Sequence, residues 1–337
     1  GGGGGAGRAG GRGKDVRTLV TGGAGFVGAH LVRALLDAGH TVAVLDDLSA
    51  GRAERVPAGV PLYQIPLEDR TAVDRVVAEA RPQAVFHLAA QVDVQTALRD
   101  PLQDLAVNVT GTVNLLEACR KHGVERVIYA SSAAVYGAPA ALPLAEEAPC
   151  RPLSPYGASK LAAEGYLWAY GQSLGLTTTI LRYANVYGPG QEARAEGGVV
   201  ASFAARIVQG QPPRIFGSGH QTRDFIYVTD VARANLAALE GPGGLFNVGT
   251  GQEASIRELA RLFLEEAGLA HLEPVFEAAR PGEIERSALD PRRAQAQLGW
   301  TPQVDLREGV ARTLAWARAG SPMEADALCR LAGGRPR

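Results

Sequence analysis

The sequence predicts an α/β protein: a doubly wound parallel sheet followed by a smaller C-terminal α/β domain. Three observations lead there. From Val16 to Arg182, apolar β-type runs alternate with stretches long enough for helices, the pattern of parallel strands with helices on both faces. A glycine-rich turn joins the first run to the first helical stretch. Beyond Asn185 the alternation weakens, and Gly188-Pro189-Gly190, Gln211-Pro212-Pro213 and Gly241-Pro242-Gly243-Gly244 punctuate shorter elements.

Val16–Val20 reads as a short buried strand, and Ala29–Leu36 carries apolar residues at helical spacing. Between them lies Thr21-Gly22-Gly23-Ala24-Gly25-Phe26-Val27-Gly28. Glycines at such a turn let the backbone bend tightly and let a pyrophosphate approach the N–H groups at the helix N-terminus. The spacing is G-x-x-G-x-x-G, not G-x-G-x-x-G, and a glycine turn can also serve helix–strand packing. Thr41–Leu45 is the second strand, ended by Asp46 and Asp47. Asp46 falls about 20 residues beyond the turn, where a carboxylate accepts from the adenosine ribose hydroxyls. It would repel a 2′-phosphate, which favours NAD over NADP. The plainer alternative is that Asp46 ends a strand and opens a turn with Asp47 and Ser49. Further strands are expected at Ala84–Leu88, Arg126–Ala130 and Thr177–Arg182, and helices within Thr71–Ala80, Pro101–His122 and Pro155–Leu174. This order makes the sheet Rossmann-type, with ligands at the carboxyl ends of its strands.

The 337 residues suffice for a large buried core, and a net charge of −1 argues against a nucleic-acid or polybasic membrane surface. No apolar stretch reaches the length of a membrane span, and no signal peptide is evident. Cys119, Cys150 and Cys329 are too few and too scattered for a metal site, which suggests no metal and a reducing, cytoplasmic setting. Residues 1–14 read as a flexible Gly-rich leader, 15–185 as the dinucleotide-binding domain with a return near 222–249, 186–320 as mainly substrate-binding, and 321–337 as a peripheral tail.

Tyr156 and Lys160 follow Pro155 at the start of a helix, four residues apart and so on one face. There an ammonium can stabilise a phenolate and lower its pKa, making a base for a hydroxyl proton while a hydride leaves the same carbon. Most such pairs are ordinary helix-surface contacts. Ser132 lies just past the Arg126–Ala130 strand, where it could hydrogen-bond the reacting hydroxyl or merely satisfy its own turn. The three together, downstream of the glycine turn, are more specific than any one.

These residues and many ordered motifs resemble the extended short-chain dehydrogenase/reductases, and among them the UDP-galactose (UDP-hexose) 4-epimerases. The motifs are TGGAGFVG, LDDL, FHLAAQ, NVTGTVNLLEA, SSAAVYG, YGASK, LRYANVYGP, QTRDFIYVTDVA, FNVGTG, RPGE and LGW, spread from about Val16 to Trp316. The resemblance implies that Tyr156 takes the proton from sugar O4, Ser132 hydrogen-bonds O4, and Lys160 holds the nicotinamide ribose and tunes Tyr156. Hydride would pass to tightly held NAD, and the 4-keto sugar would swing over and be reduced on its other face. By the same resemblance Gly22, Gly25, Phe26, Val27, Asp46, Leu67, Leu88, Ala89, Ala90, Asn108, Tyr156, Lys160 and Tyr183 would contact NAD. Ser132, Asn185, Arg194, Val199, Arg223, Arg280, Glu283 and Ser287 would contact the UDP-sugar, with Arg223 and Arg280 on the diphosphate and Glu283 on the uridine ribose. Both arginines could equally be surface ion pairs.

Two departures from the family pattern matter. Pro66 stands where an Asp usually meets adenine, leaving that contact to neighbours such as the Leu67 backbone. Ala133 and Ala134 stand where 4,6-dehydratases carry an Asp-Glu pair and decarboxylases keep the Glu, so elimination and decarboxylation lack their acids. Epimerisation is what remains. Ser287, at a place a tyrosine can hold, leaves room for an N-acetyl group, so UDP-GlcNAc joins UDP-glucose and UDP-galactose as a candidate; Arg194, after Glu192, keeps UDP-glucuronate in view. The alternatives are a net NAD-dependent nucleotide-sugar dehydrogenase/reductase and a non-catalytic NAD(H)-sensing protein. A homodimer through a four-helix bundle of Pro101–His122 and Pro155–Leu174 is implied by the resemblance.

Overall fold

A computed structural model describes residues 15–138, 141–193, 198–279 and 284–320. The leader 1–14, the tail 321–337, Arg194, Arg280 and Glu283 lie outside the described residues.

Seven strands form one parallel sheet: β1 (Arg17–Thr21), β2 (Thr41–Leu45), β3 (Leu62–Tyr63), β4 (Ala84–His87), β5 (Arg126–Ser132), β6 (Thr177–Tyr183) and β7 (Gly244–Val248). Their order is β7-β6-β5-β4-β1-β2-β3. The order reverses between β1 and β4, paired from Thr18↔Ala84 to Thr21↔His87, which opens a crevice beyond their carboxyl ends. Leu19, Val20, Val85, Phe86, Val127 and Ile128 are fully buried in successive strands, so each strand faces apolar cover on both sides.

On one face, Phe26–Asp37 packs against Val228–Glu240; on the other, Arg70–Ala80, Gly111–Lys121 and Pro155–Leu174 cover the sheet. Local chemistry starts these helices. Asp69 accepts from Ala72 N at 2.9 Å, and Ser154 accepts from Gly157 N at 3.2 Å ahead of Pro155. The Pro101–His122 stretch is not one regular helix. It runs Pro101–Leu105, then a π-helical turn Ala106–Thr110, then Gly111–Lys121. Asn108 sits in that widened turn and bonds sideways instead of into a uniform helix.

The remaining elements build a third apolar cluster. Asn185–Tyr187 pairs with Phe225–Tyr227, and Arg214–Phe216 with Val275–Glu277. Helices Val199–Val208, Ile256–Ala267 and Leu306–Arg318 close over them, with Phe203 packed edge-on to Phe263 at 6.0 Å. Asp224 clamps this region to β7 and the Leu289 segment: it accepts from Thr250 N at 2.9 Å, Gly251 N at 3.1 Å and Leu289 N at 3.1 Å.

Candidate active site

A cleft of about 450 Å³ lies at the switch point. Its walls include Gly22, Gly25, Phe26 and Val27 of the glycine turn, Asp46 after β2, Leu67, the Leu88–Ala90 segment after β4, Ser132 after β5, Tyr156 and Tyr183. The sheet thus brings to one crevice residues from seven separate stretches of chain.

The glycine turn leaves no room for side chains. Gly22 has a φ of 72°, and a Cβ there would stand 2.7 Å from Ala89 N. A Cβ on Gly28 would stand 2.0 Å from Gly22 O. The helix that follows is capped by Gly25 with no side-chain hydrogen bond, and its first turn holds no acid. An N-terminus left uncapped and free of carboxylates, opening into a cleft, suits a diphosphate. The residues present therefore fit a dinucleotide.

Asp46 is 6 % exposed, and its carboxylate accepts from Ala24 N and Leu48 N, each at 2.9 Å. It therefore ties the glycine turn to the end of β2 as well as facing the cleft. Burial raises its pKa, with the two backbone bonds working against the rise. Asp47 and Ser49 form the expected turn alongside, Ser49 N donating to Asp47 at 2.9 Å.

Ser132 Oγ accepts from Ala134 N at 3.1 Å, so its own hydroxyl proton remains to be donated elsewhere. Lys160 does not reach the cleft wall. It is buried, its Nζ donates to Ala130 O at 2.8 Å, and it lies 4.8 Å from the centroid of the Tyr129 ring. Burial pulls its pKa down to about 8, against the opposing pull of Asp104 and Glu164.

Asn108 is buried away from the cleft wall. Its amide bridges Gln91 O, Asp104 and Ser159 at 2.9, 3.1 and 3.0 Å, joining the loop after β4 to the Tyr156 helix. Tyr183 presents its ring to the cleft while its hydroxyl pairs with Asn235 at 3.1 Å. Among the expected sugar contacts, Asn185 is exposed, Val199 and Arg223 are half-buried and Ser287 is buried; none of the four is part of the cleft wall. At the adenosine end, Leu67 O is already taken by Asn114 Nδ2 at 3.0 Å, and Ile65, Leu67 and Glu68 supply the wall beside Pro66.

Sequence reasoning missed Gln191, which lines the cleft, and Glu192, which pairs with Arg52 and Arg55. No local signal marks Glu192, because its partners lie more than a hundred residues earlier. Among the described residues, no group of three or more His, Cys, Asp or Glu side chains could hold a metal, and no helix is long and apolar enough to cross a membrane.

The profile of the NAD dependent epimerase/dehydratase family matches residues 18–249, more than half of the chain. The chain belongs to this family. Its cofactor is NAD. The chain is similar to the UDP-glucose 4-epimerase of Mycolicibacterium smegmatis, 45% identical over 311 residues that cover 90% of this chain and 99% of that protein. Among solved structures it resembles the Thermus thermophilus UDP-glucose 4-epimerase complex with NAD, with a TM-score of 0.86, 45% identity, and coverage of 90% and 100% of the two chains. It also resembles the Thermotoga maritima UDP-glucose 4-epimerase with UDP-glucose, with a TM-score of 0.88, 41% identity, and coverage of 90% and 99%.

Proposed function

We propose that this protein is a UDP-sugar 4-epimerase that inverts C4 through a transient 4-keto sugar. The observation that carries this reading is the placement of Ser132 and Tyr156 on the wall of the same cleft as the glycine turn and Asp46. Bound NAD supplies the acceptor and donor of the C4 hydride. Ser132, its oxygen already accepting from Ala134 N, directs its hydroxyl to the sugar O4. Tyr156 would remove the O4 proton and later return it to O4 as hydride adds to the opposite face of C4. Lys160, held cationic behind them, favours the phenolate. Ala133 and Ala134 offer no acid for elimination, so the ketone has only reduction open to it.

The substrates that fit this reading are UDP-glucose and UDP-galactose; the named relative and the two solved neighbours are UDP-glucose 4-epimerases. The test is a panel of UDP-sugars incubated with NAD-loaded protein and resolved by chromatography. Interconversion of a C4 pair without net NADH is the expected result. Steady NADH accumulation would favour a dehydrogenase, and no turnover of any UDP-sugar would sink the enzyme reading. Tyr156→Phe should retain NAD and lose about 10³-fold in turnover.

The assembly that fits is a cytoplasmic homodimer. Leu102 is 74 % exposed and Trp168 61 % exposed, with Leu98, Leu105 and Tyr166 also open, on Val94–Arg99, Pro101–Leu105 and Pro155–Leu174. Such a patch on neighbouring helices marks an interaction surface, and a second copy would bury it in a four-helix bundle. Light scattering should give a dimer that Trp168→Glu converts to monomer. Cys119 and Cys150 are free thiols, which suits a reducing compartment.

A further inference from the structure

The helix Pro155–Leu174 sets Tyr156, Lys160 and Glu164 at four-residue intervals along one face. Two of its successive turns grip two successive residues of β5. Lys160 Nζ donates to Ala130 O at 2.8 Å, and Ser131 Oγ donates to Glu164 Oε1 at 2.5 Å. The next residue of the strand is Ser132. We propose that Glu164 is a positioning residue that locks the Ser131–Ser132 segment in register with Tyr156 and Lys160, an inference resting on the C4 chemistry assigned above.

The carboxylate is itself held. Arg182, opposite Ser131 in the β5–β6 register, donates to Glu164 through Nε at 2.9 Å and Nη2 at 2.6 Å. Arg182 Nη1 also donates to Glu146 O at 3.3 Å, and its guanidinium lies 4.6 Å from the Tyr136 ring centroid. Glu164 and Arg182 are 5 % and 4 % exposed. A desolvated ion pair is a poor way to fasten a helix to a sheet, since an apolar pair of similar size often serves stability as well or better. What an apolar pair cannot do is accept the Ser131 hydroxyl. Ser131 and Ser132 both line the cleft, so a shift of the first moves the second. A misplacement of about 1 Å at a reacting group can cost about a hundredfold in rate.

The test compares full-length, NAD-loaded wild type with three variants for kcat, KM, NAD content and Tm. Ser131→Ala removes the hydroxyl and keeps the ion pair; Glu164→Leu/Arg182→Leu removes both charges together; Glu164→Gln/Arg182→Gln retains an acceptor for Ser131. Ser131→Ala and the leucine pair should lower kcat about ten- to a hundredfold, with KM, NAD content and Tm close to wild type. The glutamine pair should recover most of the loss. A folded, NAD-loaded Ser131→Ala protein with wild-type kcat overturns the inference. So does a folded leucine pair with wild-type kcat, and if that pair fails to fold, Ser131→Ala decides alone. Wild type inactive on every UDP-sugar overturns instead the C4 reading, and this inference with it.

Discussion

Glu192 and Arg55, far apart in sequence, join in an ion pair at 2.8 Å. The same carboxylate meets Arg52 at 2.7 Å, while Arg55 also donates to Gly190 O at 3.2 Å and His30 pairs with Pro189 O at 2.9 Å. The Pro189–Glu192 segment is therefore fastened to the helix and loop that flank the glycine turn. Gln191, between these ties, lines the cleft.

Loosening that fastening should let NAD leave more readily. Both Arg52 and Glu192 are partly solvated, so Glu192→Ala should weaken retention by about 1 kcal/mol, roughly fivefold in dissociation. NAD remaining after gel filtration at low and high salt is the measure. Retention equal to wild type would show that the segment does not hold the cofactor.

Lys160 predicts two opposite pH trends. Its folded pKa is lowered to about 8 by burial, in a setting of Asp104 and Glu164, His87 on β4 and the Tyr129 ring on β5. Activity that needs the cation should fall as pH rises through about 8. Unfolded, the group keeps its proton to about 10.5, so the unfolded chain binds more protons across that window. This group therefore makes stability rise from pH 8 to 10.5 while activity falls. Rate and Tm profiles of wild type and Lys160→Met read the two trends, and both should vanish in the variant.

His87 predicts acid sensitivity. Its ring is buried between Thr21 Oγ1 and Thr112 Oγ1, each at 2.8 Å, and burial with the nearby Lys160 charge pushes its pKa down to about 3. His30, also buried, is pushed down to about 4. Both stay neutral in the fold while the unfolded chain protonates below about 6.5. Their contribution is whole above 6.5 and is lost as pH falls toward 4 and 3, by about 1.4 kcal/mol per pH unit for each group. Urea midpoints between pH 7.5 and 5 should show the slope, and His87→Gln should remove about half of it. An unchanged slope would assign the loss to other groups.

Gly28→Ala should abolish NAD binding. The added methyl would stand 2.0 Å from Gly22 O, so the turn must open to admit it. Overpacking of this kind costs about 1–3 kcal/mol in stability, and here it also deforms the diphosphate cradle. Thermal shift with and without NAD separates the two effects; a normal NAD-induced shift would mean that the turn tolerates the methyl.

Most of the sheet was legible because its signals are local. Thr41–Leu45 is a strand in both readings, and Pro155–Leu174 a helix in both, since an apolar run or a Ser-Pro start announces itself within a few residues. The expected strand Arg126–Ala130 continues to Ser132, so the serine closes the strand instead of following it. The π-helical turn at Ala106–Thr110 was not legible. Asn108 distorts its helix to satisfy Gln91, Asp104 and Ser159, and no helical period records partners in a distant loop and a later helix. Nor does the sequence around Leu67 show that Asn114, 47 residues later, takes its carbonyl.

The chain's letters were enough to determine the alternation of strands and helices, the side-chain-free turn before Val27, the acid after β2, and the Ser132, Tyr156 and Lys160 types. Each depends on residue chemistry at short spacing. Tertiary structure alone decided that Lys160 is buried on Ala130 O behind the cleft wall, that Glu164 joins Ser131 to Arg182, and that Glu192 closes on Arg55. Those depend on which distant groups share a desolvated space, where an unpaired charge or hydroxyl is costly and each must find whatever partner the packing supplies.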